Sequence, residues 1–77
     1  MFEFDNAVVA ETIKELRERH GYNQEVLSGL AGISRSHLSM IENNVKKPNF
    51  ETIWKLAIAF GLRPSELVAL IENHNSK

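Results

Sequence analysis

The chain contains no cysteine, which excludes disulfides, thiolate metal sites and thiol catalysis. It has only two prolines and four glycines, and these stand at punctuation points between apolar stretches. Long hydrophobic runs are also missing. The longest, LAIAF and LVALI, are far below the roughly 20 residues a membrane helix needs. The acidic start, MFEFDN, has neither the basic opening nor the apolar stretch of a secretion signal, so the expected address is the cytoplasm. Charge is the last thing in short supply. A formal net charge of −1 argues at face value against nucleic acid, whose binders are usually basic.

What remains is 77 residues, 43% apolar and 25% charged, which suits one soluble globular domain over residues 1–77. A core of that size supplies only a few kcal/mol, so a second copy or a partner is expected to add stability. Apolar residues recur at helical spacing throughout, and no strand candidate is present. Val9, Ile13 and Leu16 make one face of a helix from about Ala7 to Arg19, with Asp5 or Asn6 before it and Gly21 after it. Asn23 caps a second helix, Gln24 to about Ala31, which carries Val26, Leu27 and Leu30 and ends at Gly32. Ser34 caps a third, to about Asn43, with Leu38 and Ile41 inward. Asn49 caps a fourth, to Phe60, with Ile53, Leu56, Ala57 and Phe60 inward. Pro64 stands in the first turn of a fifth, Ser65 to about Asn73. The fold class is therefore all-α, a compact five-helix bundle.

Within this bundle, residues 24–43 form two short helices around the tight turn Ala31-Gly32-Ile33, the length of a helix-turn-helix. Gln24-Glu25-Val26-Leu27, Gly32-Ile33-Ser34-Arg35-Ser36, Leu38-Ser39, Ile41-Glu42 and Pro48 resemble the phage-repressor-like (Xre/Cro-type) helix-turn-helix family. The likeness continues through Ile53, Leu56-Ala57, Gly61 and Glu66-Leu67, so it covers roughly residues 7 to 70. It implies a lambda-repressor-like domain that binds double-stranded DNA and regulates transcription, in the manner of bacterial and phage regulators. It also implies that Gln24 hydrogen-bonds the DNA backbone, and that Arg17 and Glu42 form a buried ion pair. Asn44 stands where the family most often has glycine, Ser28 where it usually has alanine, and Arg63 where it usually has a hydroxyl cap.

Helical spacing supports this implication. Positions advance about 100° per residue, so burying Leu38 and Ile41 turns Ser36, Ser39, Met40 and Asn43 outward, with Arg35 beside them. Arginine can bridge O6 and N7 of guanine, and the serine hydroxyls donate or accept with less discrimination. The expected base readers are Arg35, Ser36 and Ser39, while Met40 either touches a thymine methyl or fills space. Gln24, Ser34, His37, Asn43, Lys46 and Lys47 are the expected phosphate contacts, which fix register without reading sequence. The charge objection weakens on closer reading. Arg35, Lys46 and Lys47 against Glu42 leave a local +2 in residues 34 to 48, and the remainder of the chain carries −3.

Other features take plainer readings. His20, His37 and His74 lack metal-ligand spacing, and no carboxylate is placed to orient an imidazole beside Ser34 or Ser36. No metal, cofactor or enzymatic activity is expected. Phe50, Trp54 and Phe60 read first as core and edge packing. The fifth helix has more apolar surface than one small core needs, in Leu62, Leu67, Val68, Leu70 and Ile71. Leu67, Leu70 and Ile71 are the expected dimer interface, on helices four and five over about residues 49–73, with Phe2 and Phe4 as helpers. The expected function is a homodimeric regulator on a palindromic operator. The rival class is an interaction module, such as an antitoxin-like protein holding a toxin.

Overall fold

Four of the five helices begin at a side chain that satisfies a free backbone N–H. In the computed structural model, which describes residues 3–75, the helices are α1 (Asn6–Arg19), α2 (Gln24–Ala31), α3 (Arg35–Glu42), α4 (Phe50–Ala59) and α5 (Pro64–Asn75). Asp5, Asn23, Ser34 and Asn49 accept from the N–H groups of Ala7, Val26, His37 and Thr52 at 2.8–3.0 Å. At α5 the cap works in reverse. The Arg63 N–H donates to the Glu66 carboxylate at 2.7 Å, and Pro64 takes the first helical position, where a missing N–H costs nothing. The helix thus starts one residue before the expected Ser65.

The helix ends share another device. After α2, the Ile33 N–H reaches back to the Ser28 carbonyl and the Gly32 N–H to the Gly29 carbonyl, with Gly32 at φ 71°. This Schellman pattern needs a left-handed residue at its centre. The same pair of bonds closes α1, α3 and α4. After α3 the left-handed residue is Asn44, at φ 59°, the one non-glycine in that conformation among the described residues. The residue just beyond each end folds back on the core at Tyr22, Ile33 and Leu62, whereas Val45 after α3 stays exposed.

The chain between these caps forms one core. α1 packs on α3 and α5, α2 on α3 and α4, and α4 on α5. Ile13, Leu27, Leu38, Ile41, Leu56 and Leu67 are fully buried, joined by Val9, Ala31, Ile53, Ala57 and Phe60. Each large aliphatic side chain buried this way stabilises the fold by about 1.5–3 kcal/mol. No strand occurs among the described residues.

Three expectations are corrected. Leu67 is 0% exposed, because α5 lies across α1 and α4 and needs that position to close the core, so it offers nothing to a partner. Phe50 and Trp54 are not core. They sit four residues apart on the flank of α4 turned from Ile53 and Leu56, 68% and 50% exposed, in an edge-to-face pair at 6.0 Å. The fifth helix runs to Asn75, past the expected end at about Asn73, and its last turn is docked. His74 Nε2 lies 3.2 Å from Glu11 Oε2 on α1, and the Asn75 amide donates to the Glu3 carbonyl. Phe2 lies outside the described residues.

The neighbours Leu67 and Val68 therefore separate core from surface. Leu67→Ala should cost about 2–5 kcal/mol in urea denaturation. Val68→Ala, at a position 46% exposed, should cost less than about 1 kcal/mol. Equal losses would contradict the placement of α5.

Candidate nucleic-acid interface

α2, the Gly32 turn and α3 place one side of α3 toward solvent. With Leu38 and Ile41 buried, Arg35, Ser36 and Asn43 are exposed, Met40 is just exposed, and Ser39 is half-buried. The Asn43 amide donates to the Ser39 hydroxyl at 3.3 Å, a contact between adjacent turns that engages one expected reader with one expected phosphate contact. Ser34 keeps both of its roles available. Its oxygen accepts from the His37 N–H at 3.0 Å, which leaves its own proton to donate. His37, also on α3, is half-buried. Lys46 and Lys47 follow α3 on an exposed loop.

The structure gives Gln24 a partner that spacing did not reveal. Its amide nitrogen donates to Glu42 Oε1 at 3.2 Å, while Arg17 grips the same carboxylate from Nε at 2.8 Å and Nη2 at 3.0 Å. Arg17 Nη1 donates to the Tyr22 carbonyl at 2.9 Å. The two ion-pair side chains are 13% and 2% exposed. The hydrogen bond to Glu42, opposed by partial burial and helped by the charges of Glu42 and Glu18, raises the Arg17 guanidinium above its usual pKa. A cation raised in this way contributes its stability at all pH below its usual value and loses it only as pH rises through the raised one. Arg17 is therefore charged across any working range. Gln24 also lines a polar cleft with Asn23, Glu25 and Arg35, where the starts of α2 and α3 face each other.

Further contacts hold α3 from the sides. The Asn6 amide donates to Asn44 Oδ1 at 2.6 Å, tying the start of α1 to the turn after α3. The buried Ser28 hydroxyl donates within α2 to the Glu25 carbonyl one turn back at 3.0 Å. Arg17, Arg19 and Lys55 are matched by Glu42, Glu15 and Glu51. Among the described residues, Arg35, Lys46 and Lys47 enter no ion pair.

The expected dimer residues do not share a face. Leu67 is internal, and Leu70, 39% exposed, borders a shallow pocket with Leu16 and Arg19 of α1. Ile71 is half-buried in a groove with Phe4, Phe50 and Val68. A second groove, lined by Trp54, Pro64 and Ala69, shares Phe50 and Val68 with the first. The continuous apolar surface thus runs through Phe4, Phe50, Trp54 and Val68.

A model of the HTH_3 helix-turn-helix family matches residues 13–67, which include every helix of this arrangement in whole or part. The chain belongs to that family. It is 30% identical over 61 residues to the HTH-type transcriptional regulator SutR of Escherichia coli, covering 79% of this chain and 34% of SutR. Among solved structures it is similar to the restriction-modification controller protein C.AhdI from Aeromonas hydrophila, with a TM-score of 0.77 and 33% identity over 82% of this chain and 96% of that one. A mutant of the controller C.Esp1396I, at 21% identity, shares the fold over the whole chain with a TM-score of 0.88. No helix of the described residues is long and apolar enough to cross a membrane.

In this HTH_3 domain the carboxylate of Glu42 has no solvent to fall back on. Glu42→Ala should leave Arg17 unpaired and cost about 3–5 kcal/mol. Thermal denaturation followed by circular dichroism measures this, and a loss below about 1 kcal/mol would mean that the pair is worth no more than a surface bridge.

Proposed function

We propose that the chain is a transcriptional regulator that binds double-stranded DNA by placing α3 in the major groove. The observation that carries this reading is the solvent face of α3. Arg35, Ser36, Ser39 and Asn43 line one side of a helix-turn-helix, and the adjacent cations Arg35, Lys46 and Lys47 are spent on no internal carboxylate. Arg35 and Ser36 read bases, Ser39 and Met40 add contacts further along, and Gln24, Ser34, His37, Asn43, Lys46 and Lys47 hold phosphates. With so small a positive patch, binding to random DNA is weak and specificity rests on few contacts. A soluble, cytoplasmic protein needing no cofactor fits this work.

Selection from a random duplex library tests the reading directly. A recovered motif is expected, and Arg35→Ala should relax preference at one base pair at a cost of about 1–3 kcal/mol on the selected site. If Arg35→Ala weakens selected and random duplexes equally, the arginine contacts only phosphate. Recovery of no motif would remove sequence-specific binding.

The regulator acts as a homodimer on a palindromic operator, with half-site centres about 34 Å apart on one face of the duplex. Support comes from the apolar surface of α4 and α5, where Phe50, Trp54 and Val68 are exposed together, with Phe4 and Ile71 beside them in the same groove. A domain this small gains from covering that surface with its own copy, and pairing doubles its phosphate contacts. Sedimentation of the purified chain should show dimers, and Trp54→Lys should yield folded monomers that bind the selected site at least about tenfold more weakly. A wild-type chain that sediments as a monomer would favour the rival occupant, a partner protein such as a toxin.

A further inference from the structure

We infer that Glu42, beyond pairing with Arg17, is the positioning residue for the Gln24 phosphate contact, so that the ion pair inside the fold aims a donor on its surface. The inference rests on the DNA-binding reading and extends it to a residue that touches no DNA.

The geometry carries it in three steps. Glu42 is the last residue of α3, and its carboxylate is gripped by both Nε and Nη2 of Arg17, a fork-to-fork arrangement that stops it from turning. Arg17 is itself anchored by its third nitrogen on the Tyr22 carbonyl, in the connection that leads into α2. Glu42 Oε1 therefore occupies a fixed place relative to both reading helices. Gln24, the first residue of α2, donates one N–H to that oxygen. A planar amide carries two N–H bonds about 120° apart, so engaging one leaves the other pointing away from the carboxylate. Gln24 borders the polar cleft that also holds Arg35, which is where its second N–H is available to an anion.

A free glutamine loses much of its rotamer freedom when it captures a phosphate. Here that loss is already met in folding, because Glu42 holds the amide before DNA arrives. The charged acceptor matters as well. A carboxylate oxygen accepts from Arg17 and Gln24 together, and it presents no donor that could repel the amide N–H. The arrangement also makes the phosphate contact report on α3. If α3 shifts, Oε1 shifts with it, and the Gln24 amide follows.

Phosphate contacts are independent of sequence, so a short random duplex at low salt serves as the probe. Gln24→Ala is measured in the wild-type chain and in Arg17→Met/Glu42→Met, which replaces the pair by apolar side chains of similar length and is the variant of choice for keeping the fold. Gln24→Ala should weaken binding about fivefold in the wild type, the scale of one hydrogen bond, and less than about twofold without Glu42. Equal weakening in both backgrounds overturns the positioning role while leaving DNA binding intact. A wild-type chain that binds no duplex overturns the DNA reading and this inference together.

If the paired replacement does not fold, the Gln24 side-chain amide in nitrogen-15 spectra of the intact chain decides. One amide proton should shift on adding the duplex while the other keeps its Glu42-bonded position. An amide that averages freely in the free protein, or that leaves Glu42 on binding, overturns the inference.

Discussion

Glu42 ends α3 with a carboxylate that is almost wholly cut off from water, and the fold answers with three donors from outside that helix. Two come from Arg17 on α1 and one from Gln24 at the start of α2. A buried charge without partners is among the costliest features a small domain can carry, so these donors are obligatory. Satisfying them forces the end of α1, the start of α2 and the end of α3 to meet at one point. The angle at which α3 is offered to solvent follows from that meeting and from the Leu38 and Ile41 contacts beneath it. In this protein the polar interior sets orientation, and the apolar interior sets stability.

The helix ends solve a related problem. Each connection must leave a helix sharply enough for the next one to pack, yet none may strand carbonyls inside the fold. The left-handed closure after α1, α2, α3 and α4 does both, because it turns the chain while it returns two N–H groups to the last turn. Asn44 is the exception in residue type and also in surroundings. Its side chain accepts from Asn6, so the turn after α3 is tied to α1, which compensates for a residue less at ease there than glycine. Val45 beyond it remains outside the core, which keeps the stretch toward Lys46 and Lys47 at the surface.

The near-neutral total charge takes its meaning from this frame. Arg17 and Arg19 on α1 and Lys55 on α4 sit beside carboxylates, whereas Arg35 on α3 and Lys46 and Lys47 on the loop after it enter no ion pair among the described residues. A net charge of −1 therefore coexists with a positive edge around α3. Glu25 shares the cleft with Gln24 and Arg35, so even this edge is moderated.

Much of this was legible in the sequence, because local rules act over a few residues. The spacing of Val9 and Ile13, of Leu38 and Ile41, and of Ile53, Leu56, Ala57 and Phe60 specified which faces turn inward, and Asn23, Ser34 and Asn49 marked where helices begin. Arg17 and Glu42 were paired through likeness to a family, since 25 residues separate them and no local rule joins them. Other features depended on where helices lie against one another. Leu67 and Val68 are adjacent apolar residues, and only the placement of α5 across α1 and α4 buries the first and exposes the second. Phe50 and Trp54 are apolar by composition, yet the inward arc of α4 was already filled by aliphatic neighbours, so the aromatic pair was left outside. For Gln24 the family likeness implied a contact with the DNA backbone, but its hydrogen bond to Glu42 spans 18 residues and no local rule announced it. Periodicity determined the helices and their inner faces, because burial repeats with the helical turn. Tertiary packing alone decided which apolar surplus became core, which became surface, and which side chain holds the Gln24 amide, because those outcomes depend on contacts between residues that the chain keeps far apart.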